Sequence, residues 1–296
     1  MSAGARAGAA RVAAQAKINL SLRILAREPS GYHQLETLFL RVETADVVTV
    51  RIGSSGRALD VGTADLGPSD RNLALRAAIA YQEVAEWPSG FEIRLEKVIP
   101  IGAGLGGGSA DAGAVLRALN ALAPRPLPRH ALLAIGGVLG ADVPFLTMEA
   151  PFALAWGRGD RLLELPPPPA REMLIVVPPF TVATAEAYGW VTPEGYAPRI
   201  EPRALRVADL EGWAALDRIA CNDFEAAVAE RHPLVKEITG VLRARGAAVA
   251  QLTGSGSAVI GMFDARADLD GVAAAVEGSV IATRTAERVV GVELME

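Results

Sequence analysis

The chain has 296 residues, 51% hydrophobic and 21% charged, a balance that suits one large or two ordinary domains with a sizeable core. A formal net charge of −5 argues against a general nucleic-acid binder, because phosphate-backbone binding rests on clustered Lys and Arg. No run approaches the roughly 18 apolar residues of a membrane span, and the single cysteine, Cys221, forms neither an internal disulfide nor a thiolate metal cluster, so a soluble protein of the reducing cytoplasm is expected, without nucleic-acid or membrane partners.

Met1 to Ala14 is rich in Ala and Arg, lacks acids and lacks the apolar run of a secretory signal, and it reads as a frayed tail. Ala16 to Ile24 then alternates without a break, with Ala16, Ile18, Leu20, Leu22 and Ile24 on one face and Lys17, Asn19, Ser21 and Arg23 on the other. This predicts a half-buried strand, and its polar face is either a functional surface or an ordinary solvated one. After the turn Pro29-Ser30-Gly31-Tyr32-His33, two more strands are predicted, Leu35 to Val42 and Asp46 to Ile52, joined near Glu43-Thr44-Ala45. A helix from Ala74 to Val84 follows, ended by Trp87-Pro88-Ser89-Gly90. Phe91 to Val98 alternates like a strand and delivers the chain to Pro100-Ile101-Gly102-Ala103-Gly104-Leu105-Gly106-Gly107-Gly108-Ser109-Ala110-Asp111.

That stretch carries five glycines between a strand and a patterned helix, Ala110 to Leu122, which Ser109 is placed to cap. Without Cβ atoms such a loop takes positive φ and brings backbone N–H groups up to an anion, and the helix N-terminus adds its positive end. A tight structural connection is the plain alternative. A second helix spans Arg129 to Leu139 and stops at Gly140. In the turn Ala141-Asp142-Val143-Pro144 the proline biases Val143 away from helical geometry, which puts Asp142 at a fixed, non-helical point.

Strands are predicted at Phe152 to Trp156 and Arg161 to Leu165. The stiff run Pro166 to Pro169 marks a boundary between residues 1–165 and 166–296. Beyond it come a strand at Met173 to Val177 and helical patterns at Ala183 to Val191, Asp223 to Glu230 and Leu234 to Arg245. Strands at Ala248 to Leu252 and Ala258 to Phe263 flank the turn Thr253 to Ser257, and a helix and a strand close the chain. Both halves are mixed α+β, and no internal repeat is visible.

Three phosphate-binding chemistries compete for the loop. Gly102-x-Gly104-x-x-Gly107 formally satisfies the dinucleotide fingerprint, but the acid expected about 20 residues on is replaced by a proline-rich turn. A P-loop needs Gly-Lys, and the chain has no such pair. The third is a glycine loop with no lysine in it. Pro100-x-x-x-Gly104-Leu105-Gly106-Gly107-Gly108-Ser109-Ala110 closely resembles the nucleotide-binding motif of the GHMP kinases, the superfamily of galactokinase, homoserine kinase and mevalonate kinase. Further stretches occur in family order: Ala16-Lys17-Ile18-Asn19-Leu20, Gly31-Tyr32-His33, Asn72-Leu73, Leu139 to Pro144, Asn222-Asp223-Phe224-Glu225 and Leu252 to Ser257. They narrow the resemblance to the branch acting on a cytidyl diphosphate substrate.

The resemblance implies a two-domain fold, an N-terminal domain like ribosomal protein S5 domain 2 and a ferredoxin-like C-terminal domain, with the site between them. It implies ATP-dependent phosphorylation of the 2-hydroxyl of 4-diphosphocytidyl-2-C-methyl-D-erythritol in isoprenoid biosynthesis. Asp142 is then the base and Lys17 its partner at the transferring phosphate. Gly102, Gly104, Leu105, Gly106, Gly107, Gly108 and Ser109 hold the ATP phosphates with Mg2+ across the β and γ oxygens, and Asn72 and Leu73 lie near the adenine. Lys97 either touches the nucleotide or is an exposed strand-end lysine, and Asp111 either caps the helix, the preferred reading, or assists the metal. Asn19, on the face of Lys17, reaches the substrate. Tyr32 stacks on cytosine, His33 reads its edge, and Tyr188 covers the other face, although the family often has Phe there and Pro178-Pro179-Phe180 departs from its usual Pro-Gly. A homoserine-type kinase is the alternative, and the Tyr32-His33 turn distinguishes the two. A non-catalytic relative is disfavoured by the presence of both Lys17 and Asp142. The expected partner is a small molecule, with monomer and homodimer both open.

Overall fold

The structure is a computed structural model that describes residues 8–53, 55–191, 206–264 and 267–296. Residues 8–14 are no tail: β1 runs from Ala9 to Arg27, with Ala9, Ala10, Val12 and Ala14 buried. Alanine has little strand propensity, but here it is flanked on both sides, by β2 (His33–Gly53) and by β12 (Glu293–Met295), and that pairing decides the matter. The remainder of the expected tail, residues 1–7, lies outside the described residues.

The two strands expected after the first turn are one strand. β2 passes through Glu43-Thr44-Ala45 with a bulge: Gln15 faces Ala45 while Lys17 faces Arg41, so two steps on β1 match four on β2. At the surplus residues β2 turns to other partners. Val42 bridges Thr285, and the Thr44 N–H donates to Thr283 Oγ1 at 3.2 Å. On one side of the bulge β2 pairs with β4 (Gly90–Glu96), on the other with β5 (Phe152–Gly157). The first sheet has the order β12-β1-β2-β4-β3, where β3 is Arg57–Asp60. In addition β6 (Arg161–Glu164) pairs with β5, and the short β8 (Cys221–Asn222) runs parallel to β1. Cys221 is half-buried there, its Sγ 3.4 Å from Ser21 Oγ.

The second sheet is antiparallel with the order β11-β7-β10-β9, from Ser279–Arg284, Glu172–Val177, Val259–Phe263 and Val249–Leu252. Its alternation divides two cores. Met173, Ile175, Ile260 and Met262 face the core of the first sheet, whereas Leu174, Val176, Val259 and Phe263 face the helices 225–231 and 234–244. The chain closes with a helix and two strands rather than one, and the helix Trp213–Ile219 was not foreseen.

Helix α1 (Leu73–Ala85) is capped by Asn72, whose Oδ1 accepts from the N–H groups of Ala74 and Leu75. Helix α2 starts earlier than expected, at Gly107, and runs to Leu122. Its N-cap is Gly106 at φ 72°, so Ser109 lies inside the first turn and Asp111 beyond it; neither caps. After α3 (Arg129–Leu139), Val143 opens the five-residue α4 (Val143–Thr147) instead of leaving helical geometry, and Asp142 is itself αR, φ −81° and ψ −20°. Pro144 is tolerated because it falls in the first turn, where its missing N–H has no helical partner to lose.

Candidate active site

The polar face of β1 is buried, not solvated. Lys17, Asn19 and Ser21 all lie beneath other chain, and this burial makes the face a site. Lys17 Nζ donates to Asn19 Oδ1 at 2.8 Å and sits 3.3 Å from Asp142 Oδ2, with the lysine almost wholly covered and the carboxylate about one-third exposed (5% and 30%). Asn19 spends its other side-chain atom on Thr37, Nδ2 to Oγ1 at 2.7 Å, and Thr37 donates to the Ser21 carbonyl. Its backbone N–H donates to Thr253 Oγ1 at 3.0 Å. The ammonium is therefore fixed by an amide that is itself fixed.

The glycine loop is built against the same lysine. Gly102, Gly104 and Gly106 all take positive φ. The Lys17 N–H donates to the Leu105 carbonyl at 3.0 Å, and a Cβ on Gly106 would lie 3.1 Å from both Cγ and Cε of Lys17. Only glycine leaves room for the lysine stem to pass. Leu105 turns its side chain into the core, so its contribution at the loop is backbone. The first bond inside α2 runs from the Ala110 N–H to the Gly106 carbonyl, which leaves the N–H groups of Gly107, Gly108 and Ser109 without helical partners at the open end. Leu73 lies beside Gly108, its Cδ1 3.8 Å from where a Cβ would be, whereas the side chain of Asn72 is occupied as the cap of α1.

Lys97 is not an exposed strand-end lysine. Its side chain is mostly covered by the loop, 3.6 Å from a Cβ position at Gly107, and pairs with both Asp46 and Asp111, at 2.6 Å to the latter. Asp46 Oδ1 also accepts from Val98 and Ile99. Asp111 Oδ1 is buried without a partner, and burial pushes this carboxyl up to about 7 despite the nearby Lys97.

The aromatic residues gather at the other end of β1. His33 stacks on Tyr188 of α5 (Thr184–Trp190), ring centres 4.5 Å apart and 22° between planes, and Tyr188 meets Phe224 edge-on. Burial, and then the charge of Asp142, push the Tyr188 hydroxyl up to about 12, while burial and Arg27 hold His33 below its usual range. Tyr32 is 60% exposed, with the Arg158 guanidinium 4.3 Å from its ring centre. Arg158 in turn bonds Glu28 and holds that carboxyl down at about 2.

The motif Asn222-Asp223-Phe224-Glu225, for which sequence reasoning had no role, staples the site. Asn222 Nδ2 donates to the carbonyls of Leu252 and Gly254, Asp223 Oδ2 accepts from Ile24, and Glu225 Oε2 accepts from Leu252. Thr37, Phe39 and Thr253 were missed as well. Their residue types are common in strands, and only the fold brings them to Lys17 and Asn19.

A family model described as GHMP kinases N terminal domain matches residues 72–150, and one described as GHMP kinases C terminal matches residues 203–281. The 4-diphosphocytidyl-2-C-methyl-D-erythritol kinase of Salinibacter ruber is 42% identical over 259 residues, covering 85% of this chain and 89% of its own. The enzyme of the same name from Heliobacterium modesticaldum is 36% identical over 94% and 96% of the two chains. A crystal structure of a 4-(cytidine 5'-diphospho)-2C-methyl-D-erythritol kinase superposes with a TM-score of 0.77 at 36% identity, covering 93% of this chain and 98% of that one. The homoserine kinase of Cytophaga hutchinsonii shares the fold, with a TM-score of 0.68 over 99% of both chains, at 16% identity.

Proposed function

The chain belongs to the GHMP kinases, within their 4-diphosphocytidyl-2-C-methyl-D-erythritol kinase branch, and we propose that it performs that reaction at the Lys17–Asp142 pair. Its activity is ATP-dependent phosphorylation of the 2-hydroxyl of 4-diphosphocytidyl-2-C-methyl-D-erythritol, in the cytoplasm. The observation that carries the residue assignment is the 3.3 Å contact between a buried ammonium and a partly exposed carboxylate at the open end of α2.

Phosphoryl transfer asks a protein to position two reactants and to neutralise charge. The free N–H groups of Gly107, Gly108 and Ser109 cradle the ATP phosphates, with Gly102, Gly104, Leu105 and Gly106 shaping the loop and Asn72 and Leu73 bordering the base. Mg2+, carried in on the nucleotide, would be held by phosphate oxygens and the Ser109 hydroxyl, while Asp46 and Asp111 pair with Lys97 beneath the loop. Such an ion neutralises charge on the transferred group. Asp142 takes the proton of the 2-hydroxyl as its oxygen bonds to the γ-phosphorus, and the bond to the β,γ-bridging oxygen breaks to release ADP. Lys17 orients Asp142 and lies against the transferring group, and Asn19 holds Lys17. Tyr32, His33 and Tyr188 surround the cytosine. His33 leaves its stack on Tyr188 to admit the base, because the two rings now touch.

Incubation with ATP and a panel of acceptors tests the substrate. Phosphorylation of the cytidyl compound is expected, and phosphorylation of homoserine in its place would overturn the reading. Asp142→Asn is expected to lower kcat by about 10²–10⁴-fold, the usual worth of a general base. Unchanged turnover in that variant would remove Asp142 from the role.

A further inference from the structure

Arg41 stands on β2 directly opposite Lys17, 1% exposed, and no carboxylate pairs with it among the described residues. Its Nη2 donates to the carbonyls of Phe145, at 3.0 Å, and Met148, at 2.9 Å, at the carboxyl end of α4. The Phe145 carbonyl also accepts from the Met148 N–H at 3.2 Å, so Arg41 adds a side-chain clamp to the last turn of α4. The guanidinium also lies over the Phe145 ring, 5.3 Å from its centre; Phe145 stacks on Phe39 at 5.0 Å, and Lys17 Nζ lies over Phe39 at 5.5 Å. Guanidinium, two rings and ammonium thus form one continuous chain of contacts.

A buried cation without an anion is a poor core residue. Burial, helped by the charge of Arg117, pulls this guanidinium down to about 9, and its Nε has no partner. An apolar side chain of similar volume generally serves stability as well or better, so the group is better explained by what it holds. It holds the far end of the helix that begins beside Asp142, and through the paired rings it sets the height of Lys17.

The geometry points to Arg41 as a positioning residue for the transfer step, fixing both members of the Lys17–Asp142 pair from one buried side chain. This rests on the role given to that pair above. Lysine is no substitute, since its ammonium lacks the planar guanidinium that lies over Phe145 while Nη2 donates to two carbonyls.

The test compares wild type, Arg41→Met, Arg41→Lys and Asp142→Asn, and adds Arg41→Met in the Asp142→Asn background, reading kcat, both KM values and Tm. Both Arg41 variants are expected to lose about 10- to 100-fold in kcat, the cost of a misplaced reacting group, with both KM values within about threefold and with the Tm of Arg41→Met at or above that of wild type. With the base already removed, Arg41→Met should change the residual rate by less than about twofold, because residues acting as a unit are not additive. Wild-type kcat in either Arg41 variant overturns the inference. So does a full additional loss in the double variant, or failure of Arg41→Met to fold, which would make Arg41 a support of the fold. Wild-type turnover and the Asp142→Asn arm test the pair itself, so the two failures are separable.

Discussion

Lys97 is one of three lysines in the chain, and its side chain is spent on two buried acids, Asp46 and Asp111. Burial raises Asp111 from its ordinary 3.8 to about 7, against the pull of Lys97 and with Asp46 adding to the rise. The folded protein keeps a proton that the unfolded chain has released, so this group favours folding below about pH 4 and loses that contribution as pH rises toward 7. The Tm of wild type relative to Asp111→Asn is therefore expected to decline between pH 4 and 7.5; a difference independent of pH would show that Asp111 is ionised throughout. None of this was legible locally, because Asp46, Lys97 and Asp111 come from three separate elements. Lys17 and Asp142 were legible through their motifs, but the bond from Lys17 to Asn19 follows from a burial of the β1 face that alternation alone left open.

At the scale of elements, α4 is the mount for Asp142, and it is seated by close backbone approach. A Cβ on Gly113 of α2 would fall 2.4 Å from the Leu146 carbonyl oxygen, and one on Gly136 of α3 would meet the Pro144 nitrogen at 3.3 Å. Gly113→Ala is expected to cost about 1–3 kcal/mol of stability by overpacking and to lower kcat by pushing α4 outward. Denaturant unfolding and turnover would check both. Gly137→Ala, next to Gly136 but with nothing within 4 Å of its Cβ, is the control and should gain up to about 1 kcal/mol from helix propensity. Equal behaviour of the two variants would deny the seat. The extent of α3 was read correctly from its pattern, whereas the starts of α2 and α4 were not. Gly106 and Asp142 take their conformations from contacts with Lys17 and from the packing of α4, which no cap or proline rule contains.

The whole molecule joins its two sheets across the glycine loop. Gly104 and Gly254 approach backbone to backbone: a Cβ on Gly104 would lie 2.6 Å from the Thr253 carbonyl oxygen, and one on Gly254 would lie 2.7 Å from that of Gly104. The Ala258 N–H donates across the same seam to Ala103. Gly104→Ala adds a left-handed φ of 83° to that clash, a backbone cost of about 1–2 kcal/mol before any repacking. We expect a raised KM for ATP together with a lowered Tm, and an unchanged KM would mean that the seam does not shape the phosphate loop. We propose a division between the first and second units at residues 165 and 166, in the proline run between β6 and β7, with β8 and β12 returning to the first sheet. By itself, the sequence determined the α+β class, the glycine loop and the family, because periodicity, glycine spacing and local motifs are written in consecutive residues. The tertiary structure alone decided that β1 begins at Ala9, that β2 is one bulged strand, and that Lys17, Asn19, Arg41, Thr253 and Asp142 meet. Those outcomes depend on which surfaces are covered, a property of contacts between residues far apart in the chain, such as Asn19 and Thr253, 234 positions apart.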